Sequence, residues 1–440
     1  MNKVILSSVI DIISGGTPKT SVPEFWNGDI GWLSVTDFNN DNRYVYNTEK
    51  TITDLGVKKS NTKYLNRGDI IISARGTVGA LSQIGSPLCF NQSCFGLRGK
   101  NGILDNDFLY YSLKNYVKNI IKRSQGSVFG TINLASFDLM EIEIPILISE
   151  QQKIASVLSD LDAKIELNNK INAELEAMAK LIYDYWFVQF DFPFDFKQNK
   201  VADESSNPKD VKPYKSSGGK MVYNEELKRE IPEGWEVKKL INEMDVQYGY
   251  PFSTELFNEN KIGRPVVRIR DILNNSISLY TSEDVDEKYR LDKGDLLIGM
   301  DGNFHMNFWD KNNCYLNQRS LRIRKSANSV ASHFQVLYDI APYIKAKEKN
   351  ISRTTVAHLS ARDVNDLNVL IPNSKEFIKN TSIFDLLLKQ IIINRNENQQ
   401  LSELRDWLLP MLMNGQVKVK DAYEKMEEVG MAAEGETNYK

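Results

Sequence analysis

Three cysteines in 440 residues, Cys89, Cys94 and Cys314, are too few and too unevenly spaced to staple a secreted framework or to frame a zinc site. A reducing cytoplasm is the compartment that this usage fits. Nowhere does an apolar run approach the roughly eighteen residues of a membrane span, and the start Val4 Ile5 Leu6 breaks at Ser7 and Ser8, too short for a secretory signal. No membrane partner is expected. Prolines number only 13, and 41% apolar with 26% charged residues excludes a disordered or fibrous chain. An excess of one charge is missing as well. The net charge of -3 supplies no global field for a polyanion, so any nucleic-acid binding must rest on local patches or on partner subunits.

Catalytic signatures are absent in the same way. Gly218 Gly219 Lys220 is followed by Met221 and so does not complete a phosphate-binding loop. Glu236 Val237 Lys238 has the form of a nuclease tripeptide but no acidic strand upstream. Asp191 Phe192 Pro193 Phe194 and Asn207 Pro208 Lys209 both miss the Asn/Asp-Pro-Pro-aromatic tetrapeptide of amino-group methylation. His305, His333 and His358 are scattered, with a structural or solvated role as the default. The sequence offers no catalytic residue, no metal ligand set and no cofactor site of its own.

What it does contain is a repeat. Gly68 Asp69 recurs as Gly294 Asp295, Gly76 as Gly302, and Asn91 Gln92 as Asn317 Gln318, each 226 positions on. Leu134 and Asp138 meet Leu359 and Asp363 at 225, while Leu6, Gly15 and Asp37 meet Leu240, Gly249 and Asp271 at 234. Ordered matches at nearly one offset indicate an internal duplication. At 440 residues the chain also exceeds the roughly 250 to 300 that one core supports.

Each copy changes texture once. Residues 1–149 and 231–375 hold short β-rich runs between Gly and Asn turns and are expected to be α/β globules. Residues 150–187 and 376–413 lack glycine, and lack proline before Pro410, with helical periodicity, so a helix of roughly 57 Å is expected in each at about 1.5 Å per residue. The first spacer helix is carried to residue 190, and residues 191–230, with Asp203 Glu204 Ser205 Ser206 Asn207 Pro208 and Ser216 Ser217 Gly218 Gly219, are expected to be a polar linker. Residues 414–440, whose last twenty hold six acids and two lysines, are expected to be a mobile acidic tail.

Steps of four and three from Ile154 give Leu158, Leu161, Ile165, Asn168, Asn172, Leu175, Ala179 and Ile182, a coiled-coil seam. The offset of 226 converts it to Asn380, Phe384, Leu387, Ile391, Asn394, Asn398, Leu401, Arg405 and Leu408. Two asparagines sit mid-seam in both. Under a pseudo-two-fold the helices run antiparallel, which predicts Asn168 near Asn398 and Asn172 near Asn394, fixing register; the plainer reading leaves these amides in water. Tyr183, Trp186 and Phe187 end the first helix, and Trp407 and Leu412 the second. They either pack on their own globules or form docking surfaces for other subunits.

These strings resemble the specificity subunits of type I restriction-modification systems, the HsdS family. The likeness runs through Gly15 Gly16 Thr17 Pro18, Phe25 to Leu33, Arg75 Gly76, Leu316 Asn317 Gln318 Arg319 and the entry Glu150 Gln151 Gln152 Lys153 Ile154. It is most specific at Lys212 to Met221 leading into Ile231 Pro232 Glu233 Gly234 Trp235. The second helix departs from it by starting at Lys375 Glu376 Phe377. The resemblance implies a mixed α+β chain with two α/β target-recognition domains separated by two long helices packed as an antiparallel coiled coil. It implies a non-catalytic subunit whose two domains read an asymmetric, bipartite double-stranded DNA target. Two methyltransferase subunits would dock on the helices and restriction/translocase subunits would join them, with AdoMet, ATP and Mg in those partners. The alternative is a coiled-coil scaffold that binds proteins and not DNA sequence.

Base readers would be polar side chains on loops. Candidates in the first copy are Thr17, Lys19, Arg75, Thr77, Ser127 and Thr131. In the second they are Arg268, Arg270, Asn303, His305, Arg319, Arg353 and Thr354. Arg75 and Arg319 could instead bridge carboxylates, and the shared Asn-Gln pairs could brace a turn. Arg268 with Arg270, and Arg322 with Arg324, alternate and are expected to point to one strand face each, either a solvated basic face or a phosphate contact. With 15 basic and 14 acidic residues in 1–150, and 19 against 17 in 239–375, each globule alone should bind weakly.

Overall fold

Short apolar runs that follow a Gly-Asp turn become the central strands of both repeats. The computed structural model describes residues 1–40, 42–123, 131–326, 329–349, 357–372 and 374–437. In it Ile70–Ser73 is buried along its whole length and pairs antiparallel with Leu81–Ile84 and Cys94–Gly99. A strand covered on both faces is read from sequence as a continuous apolar run, as Ile70 Ile71 Ile72 is. Ile10–Ser14 and Tyr44–Val45 complete a five-stranded sheet. Lys50–Ile52, Trp26–Leu33, Leu88–Phe90 and Tyr64–Leu65 form another of four.

The second repeat rebuilds this centre: Leu296–Gly299 pairs with Met306–Phe308 and with Ser320–Lys325, which pairs with Met244–Tyr248. Register is kept to the residue. Ile71 faces Gly96, which faces Ile13; Leu297 faces Arg322, which faces Gln247. A buried carboxylate pins each centre. Asp69 accepts from the Asn66 amide at 2.8 Å and holds Arg98 by bonds of 2.7 and 2.6 Å. Asp295 accepts from the Asp292 amide at 2.7 Å and holds Arg324 by two bonds of 2.7 Å. Arg322 is buried against Asp245. The basic face expected of Arg322 and Arg324 is therefore corrected: both guanidiniums are bound to carboxylates of their own fold.

Residues 1–167 with 397–440 form one compact unit and residues 168–396 another. The long helices Ile148–Tyr183 and Lys375–Met413 each contribute to both. In the first unit Asp162 meets Arg405 and Lys164 meets Glu397; in the second Asn172 meets Asn394, and Trp186 meets Phe384 and Phe377. Partner numbers fall as the first helix advances, so in each unit the segments pack antiparallel. Along the seams Leu158, Leu161, Ala179, Phe384, Ile391 and Leu408 are buried. Among the described residues no helix is long and apolar enough to cross a membrane.

Two segments differ from expectation. The supposed polar linker is folded: Pro193–Asp195 pairs with Lys200–Val201 and with Val211–Pro213, and Met221–Asn224 pairs with Arg229–Pro232. Aromatics hidden among its polar residues explain this. Phe192 stacks on Tyr214 at 4.7 Å and on Trp235 at 5.5 Å, and it meets Phe377 edge-on at 4.9 Å. The supposed mobile tail carries a helix, Val419–Thr437, anchored by buried Ala422 and by Tyr423, whose hydroxyl donates to Asp160 at 3.0 Å. Asp421, Glu424, Glu427 and Glu428 are exposed, while Ala422, Tyr423 and Met426 make the contact.

In each unit a carboxylate also ties a long helix to its globule, Asp162 buried and Asp339 half-buried. In the first, Asp162 accepts from Arg405 at 2.7 Å and from the Tyr111 hydroxyl at 2.6 Å, all three side chains being buried. Asp162→Ala leaves the buried Arg405 guanidinium with Asp406, at 3.2 Å, as its remaining carboxylate and strands the Tyr111 hydroxyl, and it is expected to cost about 1 to 3 kcal/mol. Denaturant unfolding would measure this, and an unchanged midpoint would contradict it. In the second unit Tyr183 donates to Asp339 at 2.7 Å and the Leu370 amide donates to it at 3.1 Å. Burial pushes the Asp339 carboxyl up from 3.8 to about 6 in spite of these bonds. The folded state thus favours the protonated form. That contribution to stability is fully present below pH 3.8 and is lost as pH rises through about 6. Melting profiles of the wild type and Asp339→Asn should diverge across that interval, and parallel profiles would rule the assignment out.

Candidate nucleic-acid interface

In the first unit three loops converge because their backbones are tied together. The Ser34 amide bonds the Asp37 carboxylate at 2.7 Å, closing a capping box over Val35–Phe38 that displays Thr36. The Asn91 amide donates to the Leu33 carbonyl at 3.0 Å, the Ala74 amide to Ser93 at 2.8 Å, and the Ile132 amide to Ala74 at 3.0 Å. Gly76, at φ +78°, turns the chain in the left-handed region that favours glycine, with Arg75 and Thr77 exposed on either side. The result is a cleft of about 400 Å³ lined by Ser34, Thr36, Asn39, Arg75, Thr77, Asn91 and Ser93, among others, with no carboxylate in its lining. Thr131 is exposed beside it through the Ile132 bond. Thr17 gives its hydroxyl to Gln92, and a Cβ on Gly15 would overlap the Asn91 carbonyl, so the Asn-Gln pair does brace this corner. Lys19 is exposed, and its carbonyl accepts from Trp26 Nε1 at 3.2 Å.

The second unit repeats the backbone ties and changes the side chains. The Asn317 amide donates to Val267 at 3.0 Å, the Met300 amide to Arg319 at 2.8 Å, and the Leu359 amide to Met300 at 2.8 Å. Gly302 has φ +70°. Where the first unit has Arg75, this one has Asp301, which is bonded to Arg319 and, at 2.6 Å, to Nδ1 of His358. Burial alone would raise the Asp301 carboxyl, but the bonds from Arg319 and His358 outweigh it and hold the group below its ordinary value. Asn303 is exposed, and His305 is half-buried with its amide donating to the Asn303 carbonyl at 2.8 Å.

Arg268 and Arg270 do not alternate on a strand. Arg268 caps the short helix Ile269–Ile272, with its amide and Nε on buried Asp271 at 3.0 and 2.9 Å, so it is a structural residue. Arg270 lies on that helix and is exposed. Ser127, Arg353 and Thr354 lie outside the described residues. Sequence reasoning missed Thr36 and Asn39. The repeat offset sets Asp301 against Arg75 in the corresponding loops, but Asp301 is not among the candidate base readers, because a lone acid is a poor DNA contact.

On the helices, Asn394 donates to Asn172 at 2.8 Å; Asn168 is buried and Asn398 half-buried. Of the aromatic-end residues, Tyr183, Phe187 and Leu412 are buried in their own units, which corrects their reading as a docking surface. Trp186 is half-buried against Phe377, and Trp407 is 46% exposed. Among the described residues no group of three or more His, Cys, Asp or Glu is placed to hold a metal.

A family profile described as the type I restriction modification DNA specificity domain matches residues 1–177 and 232–403. The chain is 28% identical over 438 residues to the MjaIX type I restriction enzyme specificity subunit of Methanocaldococcus jannaschii, covering 94% of this chain and 93% of that one. It is 29% identical over 196 residues to the EcoBI specificity subunit of Escherichia coli, covering 43% and 41%. The crystal structure of a type I restriction-modification S subunit from M. genitalium aligns over 93% of this chain and 95% of that one, at 17% identity and a TM-score of 0.49.

The two neighbouring arginines give a direct contrast. Arg268→Ala strands the buried Asp271 carboxylate and should lower unfolding free energy by about 1 to 3 kcal/mol, whereas exposed Arg270→Ala should stay within about 0.5 kcal/mol of the parent. Equal effects in denaturant titrations would refute the distinction.

Proposed function

Since the chain belongs to the type I restriction-modification DNA specificity family, whose profile matches both of its repeats, we propose that each unit reads one half of a split DNA target and that the helices dock two modification subunits. The chain is a specificity subunit, which recognises the DNA target and carries out no catalysis. The observation that carries the proposal is the duplicated corner: identical backbone ties and strand register under different side chains, with Arg75, Thr77 and Ser93 in one unit against Asp301, Asn303 and Arg319 in the other. Equal scaffolds with unequal rims suit two readers of different half-sites, hence a non-palindromic target. A pure protein scaffold is not favoured, because the family match extends through both globules. Thr17, Lys19, Arg75, Thr77 and Thr131 in the first unit, and Arg270, Asn303, His305 and Arg319 in the second, are the proposed DNA contacts. Adenine methylation and cleavage, with AdoMet, ATP and Mg, belong in this proposal to the modification and restriction partners.

A second apolar stripe supports docking. On the first helix Ile171, Met178 and Leu181 are 38, 47 and 69% exposed and follow heptad spacing, away from the seam residues Asn172, Leu175 and Ala179, and exposed Tyr185 and Val188 follow on the wider π-type turn Asp184–Val188. Leu181 is equivalent by the repeat offset to exposed Trp407 on the second helix. Co-expression with the cognate modification subunit and sequencing of methylated adenines should give one split motif that vanishes when this chain is deleted. Leu181→Glu with Trp407→Glu should leave the melting temperature unchanged and abolish co-purification of the modification subunit. Methylation that is indifferent to this chain would defeat the first claim, and intact co-purification the second.

A further inference from the structure

We propose that one arginine in each unit, Arg75 in the first and Arg319 in the second, reads a guanine through bidentate contact, and that Asp301 is the positioning residue that aims Arg319. This rests on the target-recognition reading above and extends it to a base identity and to the residues that set it.

The two rims stand on one scaffold. The Ala74 amide bonds the Ser93 carbonyl and the Met300 amide bonds the Arg319 carbonyl, both at 2.8 Å, and glycines of left-handed φ follow at 76 and 302. Residues 75, 77 and 93 are therefore tied as 301, 303 and 319 are, although Arg319 has a left-handed φ of +63° that Ser93 does not share. Each rim carries one arginine, but on opposite sides: at the turn in the first unit, and across from the turn in the second. A guanidinium is a planar fork of donors that matches O6 and N7 of guanine, the commonest specific contact in the major groove.

The surroundings favour base edges over phosphates. Arg75 is exposed at a cleft lined by Ser34, Thr36, Asn39 and Asn91, short neutral groups suited to base edges and poor in the extra cations of a phosphate clamp. Arg319 is 65% exposed, yet its Nη1 is held by Asp301, whose other oxygen is held by His358. A guanidinium tethered by one amino group keeps donors on its open side and has already lost rotamer freedom before DNA arrives. The adjacent carboxylate repels an anionic phosphodiester more strongly than the neutral acceptors O6 and N7 of a base, so Asp301 biases Arg319 away from backbone contact. Asp301 itself is only 16% exposed, which leaves it little surface for a base of its own.

The test uses the complex of the full chain with its modification subunit and reads the methylated motif. The parent motif should hold a G·C pair in each half. Arg75→Ala should make one such position degenerate in one half and leave the other half untouched, which also reports that the variant folds. Arg319→Ala and Asp301→Asn should both relax the same single G·C position in the other half, and Asp301→Glu should restore part of the discrimination. In competition binding, duplexes substituted at that pair should lose the roughly ten- to hundred-fold preference for guanine in the variants. This second readout decides the matter where a variant complex no longer methylates: preference lost supports the assignment, preference kept overturns it. It is also overturned if either alanine variant leaves the motif intact, if the relaxed pair is not G·C, or if Asp301→Asn relaxes a different position from Arg319→Ala. A parent complex with no split motif would instead defeat the underlying reading of the chain, and is told apart by the parent alone.

Discussion

A carboxylate buried at the entrance to a strand, gripping an arginine one strand away, is the constraint on which each globule depends. Asp69 with Arg98 and Asp295 with Arg324 lock the central pairs Ile70–Ser73 with Cys94–Gly99 and Leu296–Gly299 with Ser320–Lys325. A slip of one residue would turn every side chain to the opposite face and break both bonds of the fork. With the register locked, the residues just past each strand end, Ala74 and Met300, fall opposite Ser93 and Arg319. The turn beyond, with its left-handed glycine, is then delivered to a fixed place. The rim can vary in charge, from Arg75 to Asp301, because the fold does not rely on it.

This separation of scaffold from rim explains what was legible in the sequence. The Gly-Asp pair, the Asn-Gln pair and the turn glycines recur because their side chains or backbone angles are part of the scaffold, so a repeat search finds them. The long helices were legible from period and from the lack of glycine. Pairing of Arg268 with Asp271 was not, since Arg-Ile-Arg alternation looks the same whether it opens a short helix or runs along a strand. The stretch 191–230 misled for a related reason. Its serines, lysines and glycines dominate composition, but Phe192, Phe194 and Tyr214 bury enough aromatic surface against Trp235 and Phe377 to fold it. Composition averages over residues, whereas packing is decided by a few large ones.

The buried polar groups of the helices break the symmetry that the repeat would otherwise impose. Asp162 and Arg405 form an ion pair in the first unit, and the positions equivalent to them by the repeat offset are Leu388 and Ala179, which are buried and apolar in the second. The asparagines, by contrast, are kept in both seams, and Asn172 meets Asn394. The shared amides therefore fit any antiparallel pairing of these helices, whether first with second or first with a copy of itself, and cannot choose between them. The ion pair can. Two copies of the first helix, paired antiparallel in the same register, would set Asp162 opposite Ala179 and leave the carboxylate with Tyr111 as its only partner. Stranding one member of a buried pair costs about 3 to 5 kcal/mol, more than an asparagine contact contributes. The register is written symmetrically and the choice of partner asymmetrically, which favours pairing of the first helix with the second over pairing with a copy of itself.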